Sequence, residues 1–284
     1  MKTSFNLAAI LLSSLMLTAC SSQSAVDRNI EAEQLAQRGN LTPLAVDTRL
    51  PIKAWGRIAP DKPIHVYIEG DGHAWRNSHL PSMDPTPHDP VGLKLAAADG
   101  HESVLYLGRP CQYQVDTARG CHFSVWTARR FAETADIKAA LQQLAGEQEL
   151  ILIGFSGGAN IAIQLAADFL QVKAPQMKKP QVKGLVTVAG NLEAGSFNRF
   201  HRSSQEKYGH NQALLAQLVK LPQLHYTGSK DKIIPPALTH QQLADIKYSH
   251  CVRVSEVTNA KHNGPWSIDW SAFSALQQNC VNGQ

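Results

Sequence analysis

Residues 149–170 constrain the fold of this chain most strongly. Glu149-Leu-Ile-Leu-Ile153 is an apolar run of strand length. Gly154-Phe-Ser-Gly-Gly158 turns it, and residues 159–170 continue as a helix with Ile161, Leu165 and Phe169 four apart. A strand that is apolar throughout is buried on both faces, and a helix that follows it directly packs back over one of them. The pattern recurs along the chain. Strands are predicted at Ile64–Ile68, 103–107, 182–189, Gln223–Tyr226 and Cys251–Val257, with one or two more between Leu50 and Ile58. Helices are predicted around Val91–Ala96 and over Trp126–Ala145, Gln212–Val219, Pro236–Ile246 and Ser267–Gln278, with a short one capped by Asp27 running toward Gly39. A Pro-rich polar loop fills His73–Pro90. The alternation implies an α/β architecture, a mostly parallel central sheet with helices on both faces. With no internal repeat, a single domain over residues 48–284 is expected.

Composition limits the function. At 284 residues, 43% hydrophobic and 18% charged, the chain is neither disordered, collagen-like nor a coiled coil. A net charge of +4 without a Lys/Arg run gives no footprint for nucleic acid. The twelve His form no H-x-x-x-H pair, and no metal or cofactor is implied.

The N-terminus reads as an address. Lys2 precedes the apolar stretch Leu7–Leu17, about half the length needed to span a bilayer, which fits a cleaved secretory signal over residues 1–19. Leu17-Thr18-Ala19-Cys20 resembles the lipobox of bacterial lipoproteins. The resemblance implies acylation of Cys20, a membrane partner through that lipid anchor, and, with Ser21 next, the periplasmic face of a Gram-negative outer membrane. Residues 20–47 would then be the lipidated N-terminus, a tether and the short helix. Setting Cys20 aside leaves four cysteines, an even number. Cys111–Cys121 and Cys251–Cys280 are the favoured disulfides because each pair brackets one local unit; free buried thiols are the alternative.

The chemistry centres on Ser156. Its G-x-S-x-G setting between strand and helix is that of a nucleophile elbow, where Gly154 and Gly158 avoid a clash that a Cβ would cause. A serine hydroxyl needs a base, and the base an orienting acid. Here the chain resembles the α/β-hydrolase family, in which Ser, an acid and His follow in that order. The turn Gly228-Ser-Lys-Asp231-Lys-Ile-Ile-Pro235 resembles the acid turn of that family and makes Asp231 the acid, with Glu193 as fallback. His262, in the loop after the last strand, becomes the base. The resemblance assigns oxyanion donors to Gly157 and to the loop after the early strand, where Glu69-Gly70-Asp71 replaces the His-Gly-x of many relatives. Asp71 is the expected second donor and Gly72 the next. Arg109, just after a strand, is a candidate for a substrate carboxylate or for a salt bridge with Asp71, and Trp75 is a candidate pocket wall. The expected activity is a serine hydrolase acting on a small-molecule or peptide substrate with an acyl bond, a carboxylic ester before a peptide or amide. The rival is a non-catalytic envelope lipoprotein using the fold to bind. The segment between Gly190 and Gln212 is too short for a large helical lid, which implies an open site.

Overall fold

The computed structural model describes residues 24–132, 134–171, 179–204, 207–247 and 249–283. The leader, Ser21 and Cys20, on which the lipobox rests, lie outside the described residues. The chain runs α1 (Ala25–Arg38), β1 (Thr42–Leu44), β2 (Ala54–Arg57), β3 (Ile64–Ile68), α2 (Val91–Ala98), β4 (Val104–Leu107), α3 (Phe123–Trp126), α4 (Thr134–Ala145), β5 (Glu149–Phe155) and α5 (Gly157–Gln171). It continues through β6 (Gln181–Val188), α6 (Ala194–His201), α7 (Gln212–Gln217), β7 (Gln223–Gly228), α8 (Pro236–Gln242), β8 (Val252–Val257) and α9 (Trp270–Asn282).

The eight strands form one sheet in the order β1-β2-β4-β3-β5-β6-β7-β8. β1 and β2 are antiparallel, and every pairing from β4–β3 to β7–β8 is parallel. Strand side chains alternate between faces, so β5 serves two cores at once. Leu150 and Leu152 pack with Ile64, Val66, Ile161 and Leu165 beneath α4 and α5. Ile151 and Ile153 pack with Tyr67, Tyr106, Val186 and Phe273 beneath α1, α2 and α9. This two-sided cover is why the central strands read as unbroken apolar runs.

Register brings the reactive ends together. Ile68 pairs with Gly154, Phe155 with Val188, Val188 with Tyr226, and Gly228 with Val257. Parallel strands that end in step deliver the following loops, starting at Glu69, Ser156, Ser229 and Thr258, to one edge of the sheet.

Several elements differ from expectation. Ser24, not Asp27, caps α1. Asp27 is the third residue of a capping box, its carboxylate accepting from Ser24 N–H at 3.1 Å. The sheet begins at Thr42, inside the segment 20–47 set apart from the domain, and the flanking Ala32, Ala36 and Leu41 are buried in the core, so the folded unit starts well before residue 48. Within Leu50–Ile58 only residues 54–57 are strand. The helix expected over Trp126–Ala145 is divided: α3 closes at Thr127, whose hydroxyl donates to the Phe123 carbonyl at 2.7 Å, and the chain turns before α4. α9 starts at Trp270, three residues later than expected, where the Asp269 carboxylate accepts from Ala272 N–H. Cys111 and Cys121, and likewise Cys251 and Cys280, stand at disulfide distance with Cα atoms 5.8 and 4.6 Å apart.

Candidate active site

β5 ends at Phe155 and α5 begins at Gly157, leaving Ser156 to make the whole turn. Its φ is +49°, a left-handed conformation that costs energy for a residue with a Cβ and persists only when its surroundings enforce it. They do so here. Ser156 N–H donates to Val188 O at 3.0 Å, and Ser156 O accepts from Ala159 at 3.1 Å and Asn191 at 2.9 Å. The flanking glycines are required by contact: a Cβ on Gly154 would lie 2.4 Å from Ala159 Cα, and one on Gly158 2.2 Å from the Ile68 carbonyl.

Asp231 and His262 come from separate loops that hold one another. Lys230 N–H donates to Ala260 O at 2.9 Å, and Asn259 N–H to Ser229 Oγ at 2.8 Å. Asp231 is 3% exposed. Its Oδ1 accepts from Ile233 N–H at 2.7 Å and Ile234 N–H at 2.9 Å, which leaves Oδ2 to accept from His262 Nδ1 at 2.9 Å. A carboxylate can only accept there, so the proton sits on Nδ1 and Nε2 is the free base. That Nε2 lies 3.0 Å from Ser156 Oγ. The His262 carbonyl is held by Trp266 Nε1 at 2.9 Å, and its ring lies 5.3 Å from that of Phe155.

A cleft of about 320 Å³ opens over Ser156 and His262, lined also by Asp71, Gly72, His73, His88 and Ile233. Gly157 is the first residue of α5, so its N–H belongs to the unpaired, electropositive first turn. Gly72 has φ +64° and no room for a Cβ, which would lie 2.2 Å from Pro85 O. The loop is anchored from below by Glu69, whose carboxylate accepts from Gly70, Gly92 and Leu93 N–H and from the Tyr106 hydroxyl. Burial pushes that carboxyl's pKa up, and the four donors only partly oppose it.

Of the two weaker candidates, Arg109 is buried against Asp71, its Nη1 3.2 Å from Oδ1, with its guanidinium also donating to the Arg130 carbonyl. Of the two readings, the salt bridge with Asp71 is formed. Trp75 is 43% exposed and pairs with Pro81 in the loop, away from the walls of the cleft. Glu193, the fallback acid, caps α6 by accepting from Gly195 and Ser196 N–H. Among the described residues, the segment before α7 holds one helix, the eight-residue α6, whose His201 contacts the Ile233 carbonyl at 2.8 Å beside the cleft. Sequence reasoning missed Arg130 and singled out neither His73 nor His88 within the His73–Pro90 loop; the two histidines lie edge to face at 4.4 Å on the cleft wall.

Among the described residues, one group of metal-ligand type draws together: His65, Asp99 and His101. Its carboxylate is already taken by four donors, His65 Nδ1 at 2.7 Å, His101 Nδ1 at 2.6 Å, the Tyr67 hydroxyl at 2.7 Å and His101 N–H at 2.9 Å. The group lies outside the Ser156 cleft. Among the described residues no helix is long and apolar enough to cross a membrane.

Residues 129–268, just under half of the chain, match the family model described as "Serine hydrolase (FSH1)". The match takes in Ser156, Asp231 and His262 but stops short of the loop at residues 69–72. No curated protein matches the chain. The fold is similar to that of carboxylesterase CesB from Bacillus subtilis, with 12% identity and a TM-score of 0.53 over 91% of this chain and 99% of that one. It is similar also to an esterase from Pyrococcus furiosus, with 14% identity and a TM-score of 0.52 over 85% and 90%. The chain has the α/β-hydrolase fold, and over residues 129–268 it is similar to a family of serine hydrolases.

Proposed function

We propose that this chain is a serine hydrolase that cleaves carboxylic esters through an acyl-enzyme on Ser156. The observation that carries the reading is the unbroken hydrogen-bonded line from Ser156 Oγ through His262 to the buried Asp231. His262 Nε2 takes the Ser156 proton as Oγ attacks the acyl carbon, and Asp231 stabilises the imidazolium and fixes its tautomer. The oxyanion is received by the Gly157 and Asp71 N–H groups, with Gly72 adjacent. His262 returns the proton to the leaving alcohol. Water then enters by the same route and releases the acid.

The cleft, at the small end of ligand sites, suits a small acyl substrate, and ester is preferred to amide because the fold neighbours' names are those of esterases. A lipid on Cys20 would hold the domain at the periplasmic face of an outer membrane. Four residue steps lead from Cys20 to Ser24, a reach of about 14 Å at most. The cysteine pairs at disulfide distance suit such an oxidising compartment.

The test is turnover of p-nitrophenyl acetate and butyrate against a p-nitroanilide by wild type and Ser156→Ala. Ester turnover that vanishes in the variant supports the reading. Turnover of the anilide alone would replace it with an amidase, and turnover of neither by folded protein would favour a binding module.

A further inference from the structure

Resting on that reading, we propose that the Asp71 side chain is a positioning group that locks the two halves of the oxyanion site into one unit with Arg109, Arg130 and the bare Cα of Gly157. The halves come from different elements. Gly157 is fixed by α5, whereas Asp71 sits between Gly70 and Gly72, in a loop with little intrinsic stiffness.

The Asp71 carboxylate ties them together. Its Oδ2 lies 2.5 Å from Arg130 Nη1 and its Oδ1 3.2 Å from Arg109 Nη1. The same group lies flat against Gly157: a Cβ there would sit 2.2 Å from Oδ1, 2.6 Å from Cγ and 2.8 Å from Oδ2. The two arginines are braced in turn. Arg109 bonds the Arg130 carbonyl, and the Arg130 guanidinium stacks 4.6 Å over the Phe131 ring. Gln112 closes the frame, accepting from Arg109 N–H at 2.8 Å and donating to Gly70 O at 3.0 Å. The backbone on both sides of Asp71 N–H is thus fixed relative to Gly157 before substrate arrives, which is what preorganised oxyanion donors require. The pairing also explains how a carboxylate is tolerated beside a developing oxyanion, since guanidinium groups face both of its oxygens.

The experiment is a double-mutant cycle on ester hydrolysis by the purified full chain, with kcat and KM measured separately. Gly157→Ala keeps the N–H and suits a helix start, but its methyl displaces the carboxylate. It and Asp71→Ala are each expected to lower kcat by about 10- to 100-fold while KM stays within about twofold. The double variant is expected to be no worse than Asp71→Ala alone, because the methyl then meets no carboxylate. Multiplying losses, or an Asp71→Ala kcat equal to wild type, would overturn the proposal. Where the alanine variant loses its thermal transition, Arg130→Ala against Arg130→Lys carries the same test. Lysine is expected to restore most of the lost kcat, and failure to do so counts against the proposal. Wild type that neither turns over esters nor takes up a serine-directed probe at Ser156 would instead refute the underlying hydrolase reading.

Discussion

Asp231 divides its work between two oxygens, and a single substitution separates them. Asparagine can keep its carbonyl on the Ile233 and Ile234 amides, but it then offers an NH₂ to His262 Nδ1 where a carboxylate stood. The imidazole must flip its proton to Nε2, the atom that has to accept from Ser156. Asp231→Asn is therefore expected to lower kcat by about 10⁴-fold while its melting temperature stays within a few degrees of wild type, checked by steady-state kinetics beside thermal unfolding. These three residues were legible because each sits in turn chemistry that constrains it: glycines around Ser156, the Gly228–Pro235 turn around Asp231, and one histidine in the loop around His262. Arg130 carried no such signal. It lies in a stretch with helical spacing, and only the break after α3 turns it toward Asp71. For Arg109 the pairing with Asp71 was one of two readings left open, because an arginine after a strand looks the same whether it faces a substrate or a carboxylate 38 residues upstream.

β8 and α9 flank the loop that carries His262, and Cys251 and Cys280 join them across a sequence separation of 29. On the chain-entropy model a crosslink of that span contributes roughly 3 to 4 kcal/mol. Replacing both cysteines by alanine is expected to lower the unfolding free energy by about that amount in urea titrations, and dithiothreitol to lower wild type by more than the variant, which keeps the Cys111–Cys121 pair. Equal midpoints with and without reductant in wild type would show that the pair carries no such load. The legibility of elements follows how much of their stability is local. β3, β5 and α5 announce themselves by uninterrupted or four-spaced apolar residues. β1 is three residues with Pro43 at its centre, an edge strand fixed by pairing to β2 rather than by propensity. α6 carries only Ala194, Phe197 and an exposed Phe200 over two turns, too short a pattern to stand out, and is held at its start by Glu193, whose carboxylate accepts from two backbone N–H groups.

One buried titratable group ties the stability of the fold to pH. His225 on β7 is fully buried, its Nδ1 2.9 Å from Thr187 Oγ1, and burial pushes its pKa down to about 3. The unfolded chain takes up this proton near the ordinary ~6.5, whereas the folded chain refuses it until about pH 3. Between those values the unfolded state binds more protons, so stability falls with acid, by up to about 1.4 kcal/mol per pH unit. His225→Gln retains a partner for Thr187 and is expected to flatten the decline of melting temperature between pH 6.5 and 4; parallel declines would assign the acid sensitivity elsewhere. The doubly covered parallel sheet was readable from alternation alone, but the burial of a histidine within β7 was not, because strand periodicity does not reveal which polar side chain meets a tight core. The most direct measurement is covalent labelling with a fluorophosphonate, read by mass spectrometry on wild type, Ser156→Ala and His262→Ala. Labelling of wild type confined to the Ser156 peptide, absent in Ser156→Ala and strongly slowed in His262→Ala, is the expected result. Folded wild type that stays unlabelled, or that labels equally well without His262, would contradict a nucleophile activated by this histidine.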